Sequence, residues 1–171
     1  MDLESASEIG VKLLSEAEGM TDRLVEWRRA FHQFPELGLE EYMTASKIKD
    51  ILSSLPGVEV FKGFCLPTCV IARIGGDLPG KAIGFRSEID AVEVSEETGL
   101  PFSSYDNRVS HVQGHDAHMA SLLGTATLLS EHRNELKNPV VFVFQPAEEG
   151  KGGSHKVRRS EERRVGKECR S

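Results

Sequence analysis

Five consecutive apolar residues, Val140-Val141-Phe142-Val143-Phe144, limit the possible folds more than any other segment of the chain. A strand with one wet face alternates apolar and polar side chains. An unbroken run of β-branched and aromatic residues instead reads as a buried strand. It follows a predicted helix, Ala117–His132, in which Leu122, Leu123, Ala126 and Leu129 share one face. A helix leading into a wholly apolar strand predicts an α/β fold, a mixed β-sheet covered by helices.

The remaining periodicities agree. Leu13, Ala17, Met20, Leu24, Trp27 and Phe31 recur at helical steps and predict one long amphipathic helix. Pro35 and Gly38 interrupt it, and Thr44, Ile48, Ile51, Leu52 and Leu55 resume the period up to Pro56-Gly57. Val58–Phe61, Thr68–Ile74 and Lys81–Arg86 read as strands, with Gly75–Gly80 as a hairpin turn joining the last two. Gly75–Lys81 also fits the Gly-x4-Gly-Lys part of a phosphate-binding loop. Ala82 fills the place of the Ser or Thr that would meet magnesium, and a strand follows where a helix is needed, so nucleotide binding is set aside.

A chain of 171 residues suffices for one domain with a core. Its formal charge of -6 is uneven, because Arg159–Ser171 carries five basic and three acidic residues and leaves -8 on the remainder. An acidic body argues against nucleic acid as a partner, since phosphate binding needs a clustered basic surface. No run approaches the ~20 apolar residues of a membrane helix, so no membrane partner is expected. Met1–Gly10 holds three acidic and no basic residues, unlike a secretory signal, which places the protein in the cytoplasm. Cys65 and Cys69 read as free or buried thiols, with Cys169 in the basic tail.

Chemistry concentrates in two segments. His111-Val112-Gln113-Gly114-His115-Asp116-Ala117-His118 precedes the predicted helix. Imidazole suits zinc, manganese or cobalt, and a nearby Asp can orient a ligating ring through its second nitrogen. Such histidines also cap helices or decorate surface loops. Gln145-Pro146-Ala147-Glu148-Glu149-Gly150 follows the apolar strand, and ligands of open α/β sheets lie beyond strand ends. One carboxylate there can bind a divalent ion while its neighbour takes a proton from water. Solvated surface glutamates are the other reading. Arg86–Ala91 supplies a third acidic strand end, where Asp90 or Glu88 can brace a metal-bound histidine or simply face water at a turn.

At these residues the sequence resembles the M20 metallopeptidase family, in its amidohydrolase branch of auxin-conjugate, hippurate and N-acyl-amino-acid hydrolases. The resemblance runs through Trp27–Gly38, Arg86–Asp90, Glu97–Phe102, His111–His118 and Gln145–Gly153 in order. It implies the N-terminal part of a zinc-peptidase-like catalytic domain, one or two divalent ions (Zn, Mn or Co), and hydrolysis of an amide in an N-acyl amino acid or peptide-like small molecule. Glu148 takes the place of the general base. His115 and Glu149 take those of metal ligands, with Asp90, Asp116 and His118 supporting them.

The chain departs from the family pattern in two places. Gln113 stands where the family has a cysteine ligand, which exchanges a soft anionic thiolate for a harder neutral carbonyl. The resemblance also stops near Gly153-Ser154, so the lid or dimerisation domain is expected to be absent and a homodimer possible only in a full-length protein. Residues 1–158 are read as the metallohydrolase part. Residues 159–171 are read as a non-native, adapter-derived tail. The same departures leave open an inactive fragment or degenerate relative with at most weak metal binding.

Overall fold

The computed structural model describes residues 3–63 and 65–157, and the tail expected at 159–171 lies outside them. The chain opens with α1 (Leu3–Gly19) and α2 (Thr21–Gln33). The single long helix expected here is therefore divided. Gly19 weakens the helix locally, and the Thr21 hydroxyl donates to the Glu18 carbonyl at 2.7 Å, a bond that competes with the helical ladder. After the Pro35–Glu41 segment comes α3 (Tyr42–Ser53), which buries Thr44, Ala45, Ile48 and Leu52 at helical spacing.

The strands are β1 (Val58–Lys62), β2 (Val70–Ile74), β3 (Ile83–Glu88) and β4 (Val140–Gln145), with α4 (His115–Glu131) and a 3-10 turn between the last two. Their order in the sheet is β1-β2-β4-β3. This corrects the hairpin expected at Gly75–Gly80: β2 and β3 are not neighbours, because β4 enters between them. It pairs antiparallel with β2 and parallel with β3. The most apolar strand takes the interior position, leaving Phe142 and Phe144 with no exposed surface. At the sheet edge, β3 carries Gly84, Arg86 and Glu88.

Register aligns Val70, Ala72 and Ile74 with Phe144, Phe142 and Val140 on one face. These residues form the core with Ile48 and Leu52 of α3 and Met119, Leu123 and Ala126 of α4. On the other face of β4, Val141 and Val143 are only half-buried, so full burial of the apolar run is met on one side. α2 lies on α4 where Gly124 leaves room for Leu24, whose Cδ2 would stand 2.7 Å from an added Cβ. Among the described residues no helix is long and apolar enough to cross a membrane.

Phe142 stacks on Phe85 at 5.9 Å and fills the centre of this core. Phe142→Ala is expected to cost ~3–5 kcal/mol, a large share of the ~5–15 kcal/mol that holds a domain together. Val141→Ala, on the half-buried face, should cost clearly less. Urea midpoints of the two variants check the difference.

Candidate metal centre

Because β3 and β4 run parallel with Glu88 opposite Gln145, both end on the same side of the sheet. The chain beyond β3 carries Asp90, and the chain beyond β4 carries Glu148 and Glu149. The N-terminus of α4 brings His115 to the same place. Gly114 makes this entry possible with φ 86, a left-handed conformation that a residue with a Cβ adopts at a cost. The helix begins at His115, two residues before the expected Ala117, so His115, Asp116 and His118 sit on its rigid first turn.

His115 is buried, and its Nδ1 donates to the Asp90 backbone carbonyl at 2.8 Å. The Asp90 carboxylate Oδ1 lies 3.6 Å from the same nitrogen. That orients the ring, with Nε2 3.8 Å from Glu149 Oε1, and against the effect of burial the contact with Asp90 raises the His115 pKa. Ligand atoms of His115, Glu148 and Glu149 all fall within 4.8 Å of one another. Burial and then the adjacent Glu148 carboxylate push Glu149 above the usual carboxylate range. Two crowded carboxylates and an imidazole nitrogen form a donor set that suits a divalent cation.

Asp90 has no exposed surface and accepts the Glu149 backbone N–H at 2.9 Å. Burial opposes its ionisation, but the His115 imidazole close by and the Glu149 and Glu148 amides outweigh it and hold the carboxyl below its usual range. Asp90 thus ties the imidazole and the acidic pair together. His118, half exposed, faces Glu88 at 3.1 Å, and Glu88, His115 and His118 form a second group with ligand atoms within 4.8 Å. A ring nitrogen has one lone pair, so His115 Nε2 can serve one of these groups at a time.

Two expected positions behave differently. Asp116, also fully enclosed, does not orient His115. Its Oδ2 accepts from Arg28 Nε at 3.0 Å and contacts His32 Nδ1 at 2.7 Å, tying α2 to the start of α4. Gln113 lies exposed on the turn before α4, two residues ahead of His115. On the far side of His32, Nε2 meets Glu96 at 3.1 Å. Burial works against ionisation of Glu96, yet bonds from Thr98, the Ser104 amide and His32 bring its carboxyl down to about 2. Sequence reasoning gave no role to His32, Arg28 or Glu96. Their partners lie 64 to 88 residues away, beyond any local signal.

A cleft of about 180 Å³, lined by Gly38, Ala91, Val92 and Lys151 among others, opens beside Glu149. A larger one of about 580 Å³, lined by Glu36, Glu40, Glu93 and Arg108 among others, contains no histidine.

The fold and these side chains define an α/β domain with candidate metal ligands at one end of its sheet, and comparison with known proteins places it. Residues 84–168 match the model of peptidase family M20/M25/M40. The chain is 41% identical over 145 residues to thermostable carboxypeptidase 1 of Saccharolobus solfataricus, covering 84% of this chain and 37% of that protein. It is 44% identical over 135 residues to N-acetylcysteine deacetylase of Bacillus subtilis, covering 79% and 35%. A dinuclear metal-binding M20 peptidase of Bacillus subtilis superposes with a TM-score of 0.79 at 42% identity, over 84% of this chain and 40% of the other. The chain belongs to the M20 peptidase family and spans between a third and two fifths of the length of these relatives.

His111 is buried beside this site, and its Nδ1 and Nε2 meet no hydrogen-bond partner among the described residues. Burial lowers its pKa to about 4, against the pull of Asp116. An unfolded His titrates near ~6.5, so the unfolded chain takes up this proton first as pH falls. Stability from a neutral His111 is complete above pH ~6.5 and is lost as pH drops toward 4. Thermal melts between pH 7 and 4.5 should show a shallower decline for His111→Gln than for the parent.

Proposed function

We propose that this chain supplies the His115–Glu148–Glu149 part of a metal-dependent amide hydrolase acting on N-acyl amino acids or similar small peptide-like molecules. The observation that carries the proposal is the convergence of these three side chains, from two different elements, within 4.8 Å. The names of the relatives, a deacetylase and a carboxypeptidase, agree with cleavage of an amide.

A divalent ion, zinc, manganese or cobalt, bound here supplies Lewis acidity toward a carbonyl oxygen and toward water. His115 and Glu149 hold it. Asp90 keeps the His115 Nδ1 proton pointed away, so that Nε2 faces the site. Glu148, the exposed member of the acidic pair, reaches solvent and substrate. Its carboxylate takes a proton from the attacking water and returns it to the leaving amine nitrogen, as amide cleavage requires. Gln113 stands in place of an anionic ligand and lowers the affinity of the site.

The test is metal content and N-acyl-amino-acid hydrolysis, measured for this chain and for one extended to the full length of its relatives. Hydrolysis by the extended chain, lost in Glu148→Gln with metal retained, supports the proposal. Absence of metal from both chains sinks it. Metal without turnover in the extended chain favours the second reading, a degenerate relative, for which the exposed Gln113 is the observation in favour. Gln113→Cys should tighten zinc binding, read by competition with a chromophoric chelator, and an unchanged affinity counts against that position as a ligand.

A further inference from the structure

Glu41 has no exposed surface, although it holds the N-cap position of α3, where a polar side chain commonly accepts the first free amides of the helix. The cap is provided instead by Glu36. Its Oε1 accepts the Met43 amide at 3.1 Å and its Oε2 the Thr44 amide at 2.7 Å. Released from capping, Glu41 turns into the protein. Its Oε2 accepts the Thr68 hydroxyl at 2.7 Å, and its Oε1 accepts the backbone N–H of Ala147 at 2.8 Å.

Ala147 is the residue just before the acidic pair. It is fully buried and has φ 55, a left-handed conformation that a non-glycine residue keeps only when its surroundings enforce it. β4 has already ended at Gln145, so no strand partner is left for the Ala147 amide, and a buried amide without an acceptor is costly. Three bonds define the turn: Glu41 to the Ala147 amide, Asp90 to the Glu149 amide, and the Gly153 amide to the Ala147 carbonyl at 2.8 Å. Gly38 closes over it, with so little room that an added Cβ would lie 3.0 Å from Ala147 Cα.

We propose that Glu41 is a positioning residue for the metal centre, fixing through the Ala147 amide the turn from which Glu148 and Glu149 face His115. This rests on the metal-centre reading above. A purely structural role would instead reside in the bond to Thr68, which anchors the segment leading into β2. The two bonds use different oxygens, so they can be separated.

The experiment compares the parent chain with Glu41→Met, Glu41→Gln and Thr68→Val, reading cobalt affinity by its visible absorption and amide exchange at residues 142, 147 and 149. Glu41→Met is expected to weaken cobalt binding by about 10-fold or more, the effect typical of a lost outer partner, and to speed exchange at 147 and 149 but not at 142. Glu41→Gln, whose carbonyl still accepts the Ala147 amide, should restore both. Thr68→Val should lower the melting temperature and leave cobalt affinity unchanged. Should Glu41→Met not fold, Glu41→Asp, one methylene too short to reach Ala147, carries the same expectation. Parental cobalt affinity with parental exchange in the Met or Asp variant overturns the inference, as does equal weakening by Thr68→Val. If the parent itself binds no cobalt, the metal-centre reading fails, and exchange at 147 and 149 alone decides for or against the role of Glu41.

Discussion

Parallel pairing of β3 with β4 is the constraint on which the site depends. Antiparallel neighbours would send the residues after each strand to opposite ends of the sheet. The parallel register, Ser87 opposite Phe144 and Glu88 opposite Gln145, delivers Asp90, Glu148 and Glu149 to one end. The connection between these strands contains α4, whose first turn carries His115 to the same end. Geometry of the backbone thus gathers the polar groups, and the side chains then need only short reaches.

Holding that arrangement falls to three carboxylates with no exposed surface, Glu41, Asp90 and Asp116. Burying a carboxylate is unfavourable unless hydrogen bonds replace water, and each of these is met by donors from distant segments. Glu41 links the start of α3 to the loop after β4, the Asp90 carboxylate links the end of β3 to that loop while its backbone carbonyl holds His115 of α4, and Asp116 links α4 to α2. The site is braced by a polar frame beneath it, while the apolar core around Phe142 and Phe144 lies farther along the sheet. Loss of one brace removes a bond and also leaves its buried partner unsatisfied, which makes the frame cooperative.

Much of the fold was legible because its signals are local. The apolar run of β4, the helical period of α4 and α3, and the strand character of 58–61, 68–74 and 81–86 all survive with boundary shifts of a few residues. What failed depended on long-range competition. A turn-like Gly75–Gly80 suggested a hairpin, but β4 outcompetes β3 for the place beside β2 because it has more apolar surface to bury. In the site, the gathering of His115, Glu148 and Glu149 followed from strand-end and helix-start positions. For Asp116 the expectation was only a supporting place beside the ligands. The true partners, Arg28 and His32, lie on another helix, and the inward turn of Glu41 depends on Glu36 capping α3 in its stead.

The turn that precedes α4 has a separate consequence. Val112 and Gln113 are both exposed there, between buried His111 and the enclosed first turn of the helix. Neither side chain supports the core. Position 113 is therefore free of packing constraint, and its residue can change through evolution without a cost in folding. The identity of residue 113 can thus answer to the chemistry of its surroundings, while the architecture stays intact.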